Sequence, residues 1–165
     1  MNNGFSAGSG RKRQVLDAVD EKIVGELLDD GRLPIAELGR RVNLSSPAVA
    51  ERMRRLERTG VVTGYRAQVD PRALGYELLA IVRVKPAPRQ LPKIPELAAE
   101  IPQVVECHRI TGEDCFFLKL HLRSMDDLEP LLDRFTPYGR TTTSLIHSSA
   151  VDNRALPLTG EPINS

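Results

Sequence analysis

The chain predicts an α+β fold in two domains, and three observations predict it. Up to Arg58 the apolar residues recur at helical spacing, and from Tyr76 they recur at the spacing of strands. Between the two lies a run of turn residues, Asp70-Pro71 to Gly75. Charge is also uneven: residues 1–65 carry 11 Lys+Arg against 9 Asp+Glu, and residues 66–165 carry 12 against 13. The expected organisation is an arm over 1–14, a winged helix-turn-helix domain over 15–66, a linker over 67–75, a sheet domain over 76–155 and a tail over 156–165.

Met1 to Gln14 is rich in Gly, Ser and Asn and reads as a solvated arm; its Arg11-Lys12-Arg13 run is a candidate for touching phosphate. The first helix starts near Asp17, with Asp20 three residues on. Leu16, Val19, Ile23, Val24, Leu27 and Leu28 form its apolar stripe, and Gly31 ends it. Leu33 to Arg58 then reads as two short helices joined by a tight corner. Ile35, Leu38 and Val42 give the first a buried face, and Val49, Met53 and Leu56 give one to the second. Asn43 tolerates the left-handed conformation of a helix end, and Leu44 plugs the angle. Ser45 or Ser46 caps the second helix, and Pro47 suits its first turn, where an N–H has no partner to lose.

Opposite the Val49, Met53 and Leu56 stripe the second helix shows Pro47, Glu51, Arg54, Arg55 and Arg58, with Arg52 at the margin. From Arg40 to Arg66 seven arginines face two acids, a local charge of +5 in a chain whose total is +1. That is an electrostatic footprint for phosphate, and the segment reads as a helix-turn-helix whose second helix enters a DNA groove. Ser46, Pro47, Ala48 and Glu51 are expected to face the groove, with Arg54, Arg55 or Arg58 on phosphates. Ser45 and Arg52 complete the expected DNA-binding set. A solvated face on an ordinary bundle is the alternative, but turn, cap and charge coincide within 26 residues.

Val61 to Arg66 alternates between glycines and reads as a two-stranded wing or a strand leading away. Asp70-Pro71 opens a short helical piece ending at Gly75. Tyr76 onward gives a strand apolar on both faces, with Leu79 and Ile81 on one and Leu78, Ala80, Val82 and Val84 on the other. A proline-rich loop from Pro86 to Pro95 precedes a helix around Glu96 to Ile101. Two strands, VVECHRI and CFFLKLHLR, flank the turn Thr111-Gly112-Glu113-Asp114. Ser124 and Asp127 cap a helix with the stripe Leu128, Leu131, Leu132 and Phe135, which Pro130 should kink. Arg140 to Val151 is the last strand. The order βαββαβ describes a ferredoxin-like sandwich with both helices on one sheet face. If Ile110 pairs with Cys115, then Val105 and Cys107 join Phe116, Leu118, Leu120 and Leu122 on the covered face. Glu106, His108, Cys115, Phe117, Lys119 and His121 are left on the open one, with Glu106 and Lys119 paired, and a second sheet is the simplest cover.

Hydrophobic content of 41% supports real cores, and two cysteines with three histidines exclude a disulfide scaffold. No apolar run approaches the roughly 20 residues of a membrane span, and no apolar leader core is present, so a cytoplasmic protein is expected. Cys107 and His108 are adjacent and point to opposite faces, and neither C-x2-C nor H-x3-H occurs. No metal, cofactor or catalytic residue is therefore expected, and the cysteines read as packing residues.

Taken together, the LDAVDEKIVGELLDDGR opening, LSSPAVAERMRRLERTGVVTGYRA, DPRALGY, ECHRITGEDCFFLKLHL and GRTTTSLIHSS make the chain similar, from about Leu16 to Val151, to the leucine-responsive regulatory protein/AsnC (feast/famine) family of transcription regulators. The resemblance implies a DNA-binding winged helix-turn-helix and an effector-binding, oligomerising second domain. It further implies dimers assembling into tetramers or octamers, and amino acids as effectors held where dimers meet. Pro34 stands where such proteins often carry a capping Ser or Thr. Cys115 stands where many carry an Asp, the nearby acids here being Glu113 and Asp114. An amino acid needs donors for its carboxylate and acceptors for its ammonium. His108, Gly112, Glu113, Asp114, Thr141, Thr143 and Ser144 are the candidates to supply them. Two other classes stay open: a ligand-independent architectural DNA-binding protein, and a small-molecule-binding ferredoxin-like domain whose helices only oligomerise.

Overall fold

Asp17 starts the first helix because its carboxylate accepts from two N–H groups that a helix leaves open, Val19 N at 3.0 Å and Asp20 N at 2.8 Å. A computed structural model describes residues 15–158. The arm with Arg11-Lys12-Arg13 and the end of the expected tail lie outside the described residues. Helices α1 (Ala18–Asp29), α2 (Ile35–Val42) and α3 (Ser46–Arg58) follow, and they bury Ile23, Val24, Leu38, Val42, Val49 and Leu56 in one cluster. The stripes are narrower than expected: Leu28 is 52% and Ile35 42% exposed, since three short helices cover only one edge of each other.

The α2–α3 corner has the expected form. Asn43 adopts φ 59°, ψ 44°, and its N–H and that of Leu44 both turn back onto the Gly39 carbonyl. A Cβ at Gly39 would stand 2.7 Å from the Leu44 carbonyl oxygen, so the corner also requires glycine there. Pro34 leaves α2 without a side-chain cap. Ser45 occupies the N-cap position of α3 but makes no side-chain cap bond, contrary to expectation, so the helix starts on Pro47 and the backbone turn. The expected wing strands do not form among the described residues. Val61 and Val62 instead donate to the Leu56 carbonyl at 2.9 and 3.1 Å and pack on the helical core, and Tyr65 reaches Glu57 at 3.0 Å.

A single 3-10 turn, Arg72–Leu74, ends at Gly75 and leads into the sheet domain. Strands β1 (Leu78–Pro86), β2 (Val104–Arg109), β3 (Phe116–Leu122) and β4 (Gly139–Leu145) pair antiparallel in the order β2-β3-β1-β4, the ferredoxin-like order. Helices α4 (Lys93–Glu100) and α5 (Leu128–Asp133) supply Ile94, Ala98 and Leu131, which with Phe135 just beyond α5 close over Ala80, Val82, Val84, Leu118, Leu120 and Leu122. Each large side chain buried there is worth about 1.5–3 kcal/mol.

Five details differ from the sequence reading. Helix α4 starts at Lys93 rather than near Glu96, with Pro95 in its first turn, where a missing N–H breaks nothing. Pro130 likewise falls in the first turn of α5, after a 3-10 turn at Met125–Asp127 held by the Ser124/Asp127 capping box, and no kink is needed. Between Val104 and Glu106 a bulge shifts the β2–β3 register. Val104 therefore packs on the core and Val105 is 52% exposed, the reverse of simple alternation. Cys115, expected on the open face, precedes the strand and packs partly against the core, with its N–H on the Val84 carbonyl. The last strand also stops at Leu145, and only Ile146 N continues the ladder, to Leu79 O.

The chain divides into two compact units, one of residues up to Ala67 plus those from Asn153, the other Gln68–Asp152. Most of the expected linker thus belongs to the sheet unit. Within the described part of the expected tail, Leu158 packs against the core of the helical unit, and its Cδ1 lies 3.7 Å from where a Cβ on Gly25 would be. Paired substitutions test these contacts by urea unfolding followed through helical circular dichroism. Gly39→Ala is expected to destabilise the helical unit by about 1–3 kcal/mol, because the α2–α3 backbone must move. Gly25→Ala, which meets only an ordinary contact, is expected to stabilise it by about 0.5–1 kcal/mol.

Candidate nucleic-acid interface

Helix α3 is anchored by Val49 and Leu56, which are buried, and by half-buried Met53. The opposite side is in solvent. Ser45, Ser46 and Pro47 are exposed at its start and Ala48 is half-buried. Glu51, Arg54 and Arg58 follow Pro47 along one face at i+4, i+7 and i+11, all exposed. Arg54 pairs with Glu51 at 2.9 Å, both side chains 68% exposed, a pair weak enough to exchange for another partner. Arg58 has no ion-pair partner among the described residues.

Two of the expected DNA-facing arginines are engaged within the helical unit: Arg52, at the margin as expected, and Arg55. Arg52 Nη1 donates to Asp17 Oδ2 at 2.6 Å and to Asp20 Oδ1 at 2.8 Å. Arg55 Nη2 bonds both oxygens of Asp20, at 2.7 and 2.5 Å. Asp20 is 3% exposed, the one buried charged residue among the described residues. A carboxylate in that position needs paired cations, and α3 supplies two. The projection treated α3 alone, whereas this flank lies against α1. The Arg52 contact holds the Asp17 carboxyl below its ordinary range, reinforced by the N–H of Asp20.

Two further acids, Glu37 and Glu26, shrink the electrostatic footprint in the same way. Arg40 and Arg41 both bond Glu37, at 2.7 and 2.9 Å, and Arg41 also bonds Glu26 at 2.7 Å. Arg40 first and Arg41 second hold Glu37 down to about 2. Residues 15–66 carry nine cations and nine acids, so the local excess of arginine is largely met within the unit.

In the sheet unit the expected effector residues do not share one face. Thr141 and Thr143 pair with Val84 and Val82 on the helix-covered side, and Ser144 pairs with Ile81 on the open side. His108, opposite Phe117, is also on the open side, bonded to Glu106 at 3.0 Å, and it is the larger cause of a lowered Glu106 carboxyl. Gly112, at φ 117°, Glu113 and Asp114 form the β2–β3 turn, and Asp114 lies 3.5 Å from Arg83. The Glu106–Lys119 pair forms at 3.3 Å. Burial raises the Cys107 thiol. No group of three or more metal-ligating side chains gathers among the described residues. No helix among them is long and apolar enough to cross a membrane. Sequence reasoning missed the Asp20 pairing, whose only trace was an acid inside an otherwise apolar stripe.

This fold and this helix define the class: a helix-turn-helix protein carrying an appended ferredoxin-like domain. Two family models match it, the AsnC-type helix-turn-helix domain over residues 16–57 and the Lrp/AsnC ligand binding domain over residues 79–156. The chain is 35% identical over 133 residues to the HTH-type transcriptional regulator LrpC of Bacillus subtilis, covering 81% of this chain and 92% of that protein. It is 38% identical over 144 residues to the HTH-type transcriptional regulator LrpA of Mycobacterium tuberculosis, covering 86% and 96%. The solved B. subtilis LrpC superposes with a TM-score of 0.80 at 33% identity over 86% of this chain and 100% of that one. The M. tuberculosis feast or famine regulatory protein complexed with L-methionine gives 0.80 at 36% identity over 86% and 99%. The chain belongs to the Lrp/AsnC family of transcriptional regulators, and its relatives are regulators rather than enzymes.

The Glu37 cluster predicts an acid-side pH dependence. Its folded carboxyl sits at about 2 against an ordinary 4.5. The stability it contributes is therefore fully present above 4.5 and lost as pH falls toward 2. Thermal unfolding across that window should show a steeper acid loss for the native chain than for Glu37→Gln, and equal slopes would refute the assignment.

Proposed function

We propose that the regulator reads DNA with the first turn and the outward face of α3, as a cytoplasmic homo-oligomer whose assembly or DNA affinity responds to an amino acid. The observation that carries this is the Pro47, Glu51, Arg54, Arg58 face, exposed on a helix fixed from behind by Val49 and Leu56. Ser45, Ser46, Pro47, Ala48 and Glu51 approach base edges. The open N–H groups of the first turn, with no side-chain cap to occupy them, suit a phosphate. Arg58 and, once released from Glu51, Arg54 contact phosphate. Anisotropy titrations with DNA from the protein's own upstream region test this. Log affinity should fall linearly with log salt. Arg58→Ala should weaken binding to all sequences and lower the slope by about one, while Glu51→Ala shifts sequence preference. Binding indifferent to salt would overturn the proposal.

The second copy is called for by the open sheet face, where Leu79, Ile81 and Phe117 are only half-buried and Ile146 is 37% exposed. A relative binds L-methionine. In this chain the turn Gly112-Glu113-Asp114 and the Thr141 to Ser144 strand offer amide, hydroxyl and carboxylate groups, with His108 nearby. They surround a ligand only where a neighbouring protomer completes the site. An effector shifts the assembly by its differential affinity for two arrangements, typically five- to 150-fold. Calorimetry across the common amino acids, then sedimentation with any that bind, checks both steps. Asp114→Ala should abolish the effect while ligand-free DNA binding stays intact. If no amino acid binds, the protein is a ligand-independent DNA-binding regulator.

A further inference from the structure

Asp20 is buried in the helical unit and has no part in helix capping, which Asp17 performs. Both of its oxygens are taken by arginines of α3, Arg52 at 2.8 Å and Arg55 at 2.7 and 2.5 Å. Those arginines keep 27% and 44% of their side chains exposed, so their guanidinium groups sit at the rim of the unit and not deep inside it. Beside the pair a cleft of about 170 Å³ opens to solvent, lined by Asp17, Asp20, Arg55 and Thr59 together with apolar Leu16 and Val61. Without these acids, α3 would present Arg52, Arg54, Arg55 and Arg58 together.

Resting on the reading of α3 as the DNA-facing helix, we infer that Asp20 is a positioning residue for DNA recognition: by holding Arg52 and Arg55 against α1 it withholds two cations from the phosphate backbone. Binding through charge alone is thereby kept low, and base contacts from the first turn of α3 carry more of the discrimination. The same pairing fixes the rotation of α3 about its axis, since the two arginines lie three residues apart on the flank that meets α1.

Salt titrations of DNA binding by the full chain separate this role from a merely structural one. Asp20→Asn keeps the shape and removes the charge. It should raise affinity for DNA of unrelated sequence and steepen the salt slope by up to about two, an extra loss of about tenfold over a fourfold rise in salt. Adding Arg55→Gln to that variant should bring the slope part of the way back. A fall in stability with an unchanged slope would leave Asp20 as a packing residue and overturn the inference. If Asp20→Asn does not fold, Arg55→Gln in the native background decides: the slope should match the native protein, whereas Arg58→Ala lowers it. A drop for Arg55→Gln equal to that for Arg58→Ala would put Arg55 on phosphate and overturn the inference while leaving the DNA-binding proposal standing. A native protein without salt-sensitive binding would overturn both.

Discussion

A carboxylate removed from water must be met by fixed positive charge, and the helical unit is arranged around one such requirement. Asp20 sits inside the α1 stripe that otherwise buries Ile23 and Val24, and α3 answers it with Arg52 and Arg55. Its two arginines come from consecutive turns, so satisfying the acid sets both the distance and the rotation of α3 against α1. The α2–α3 corner then needs to hold only one remaining angle, which Asn43 and Gly39 do through backbone geometry. A pair of this kind adds less to stability than an apolar contact of equal size would, because desolvation offsets much of its attraction. What it adds is direction, which an apolar contact lacks.

The sheet unit meets a different constraint. Its two helices cover one face, and strand alternation places Leu79, Ile81 and Phe117 on the other beside Arg83, Lys119 and His121. On the two central strands the apolar and basic side chains stand in cross-strand pairs, Leu79 with His121, Ile81 with Lys119 and Phe117 with Arg83, so the open face is mixed and not a uniform apolar sheet. The bulge at Val105 changes the sheet edge. It adds an apolar side chain to the solvent side of the edge strand β2 and interrupts the regular edge that would otherwise pair indiscriminately.

Much of this was legible in the sequence because it depends on short-range rules. Asp17 as cap, Asn43 as left-handed corner, the Ser124/Asp127 box, the Ile110–Cys115 turn and the strand order all follow from spacing and turn chemistry. The failures share a cause too. Arg52 and Arg55 were placed from the geometry of one helix, and their partners lie some 35 residues away in sequence. Val105 was placed by strict alternation, which one inserted residue inverts. Val61 and Val62 have strand-like composition but find an open helix-end carbonyl first. The effector residues were grouped by residue type, while the register of β4 sends Thr141 and Thr143 to one face and Ser144 to the other.

Leu158 over Gly25 makes the helical unit a body assembled from two separate stretches of the chain, with the whole sheet unit inserted between them. Translation therefore delivers the parts out of order. The three helices emerge first, and the residue that closes over α1 emerges roughly a hundred residues later, some 5–20 s at ordinary elongation rates. During that interval the sheet domain can complete its own core while the first helix still has a bare strip along Gly25. The segment that completes the packing over α1 thus lies on the far side of the sheet unit in sequence, although it belongs to the helical unit in space.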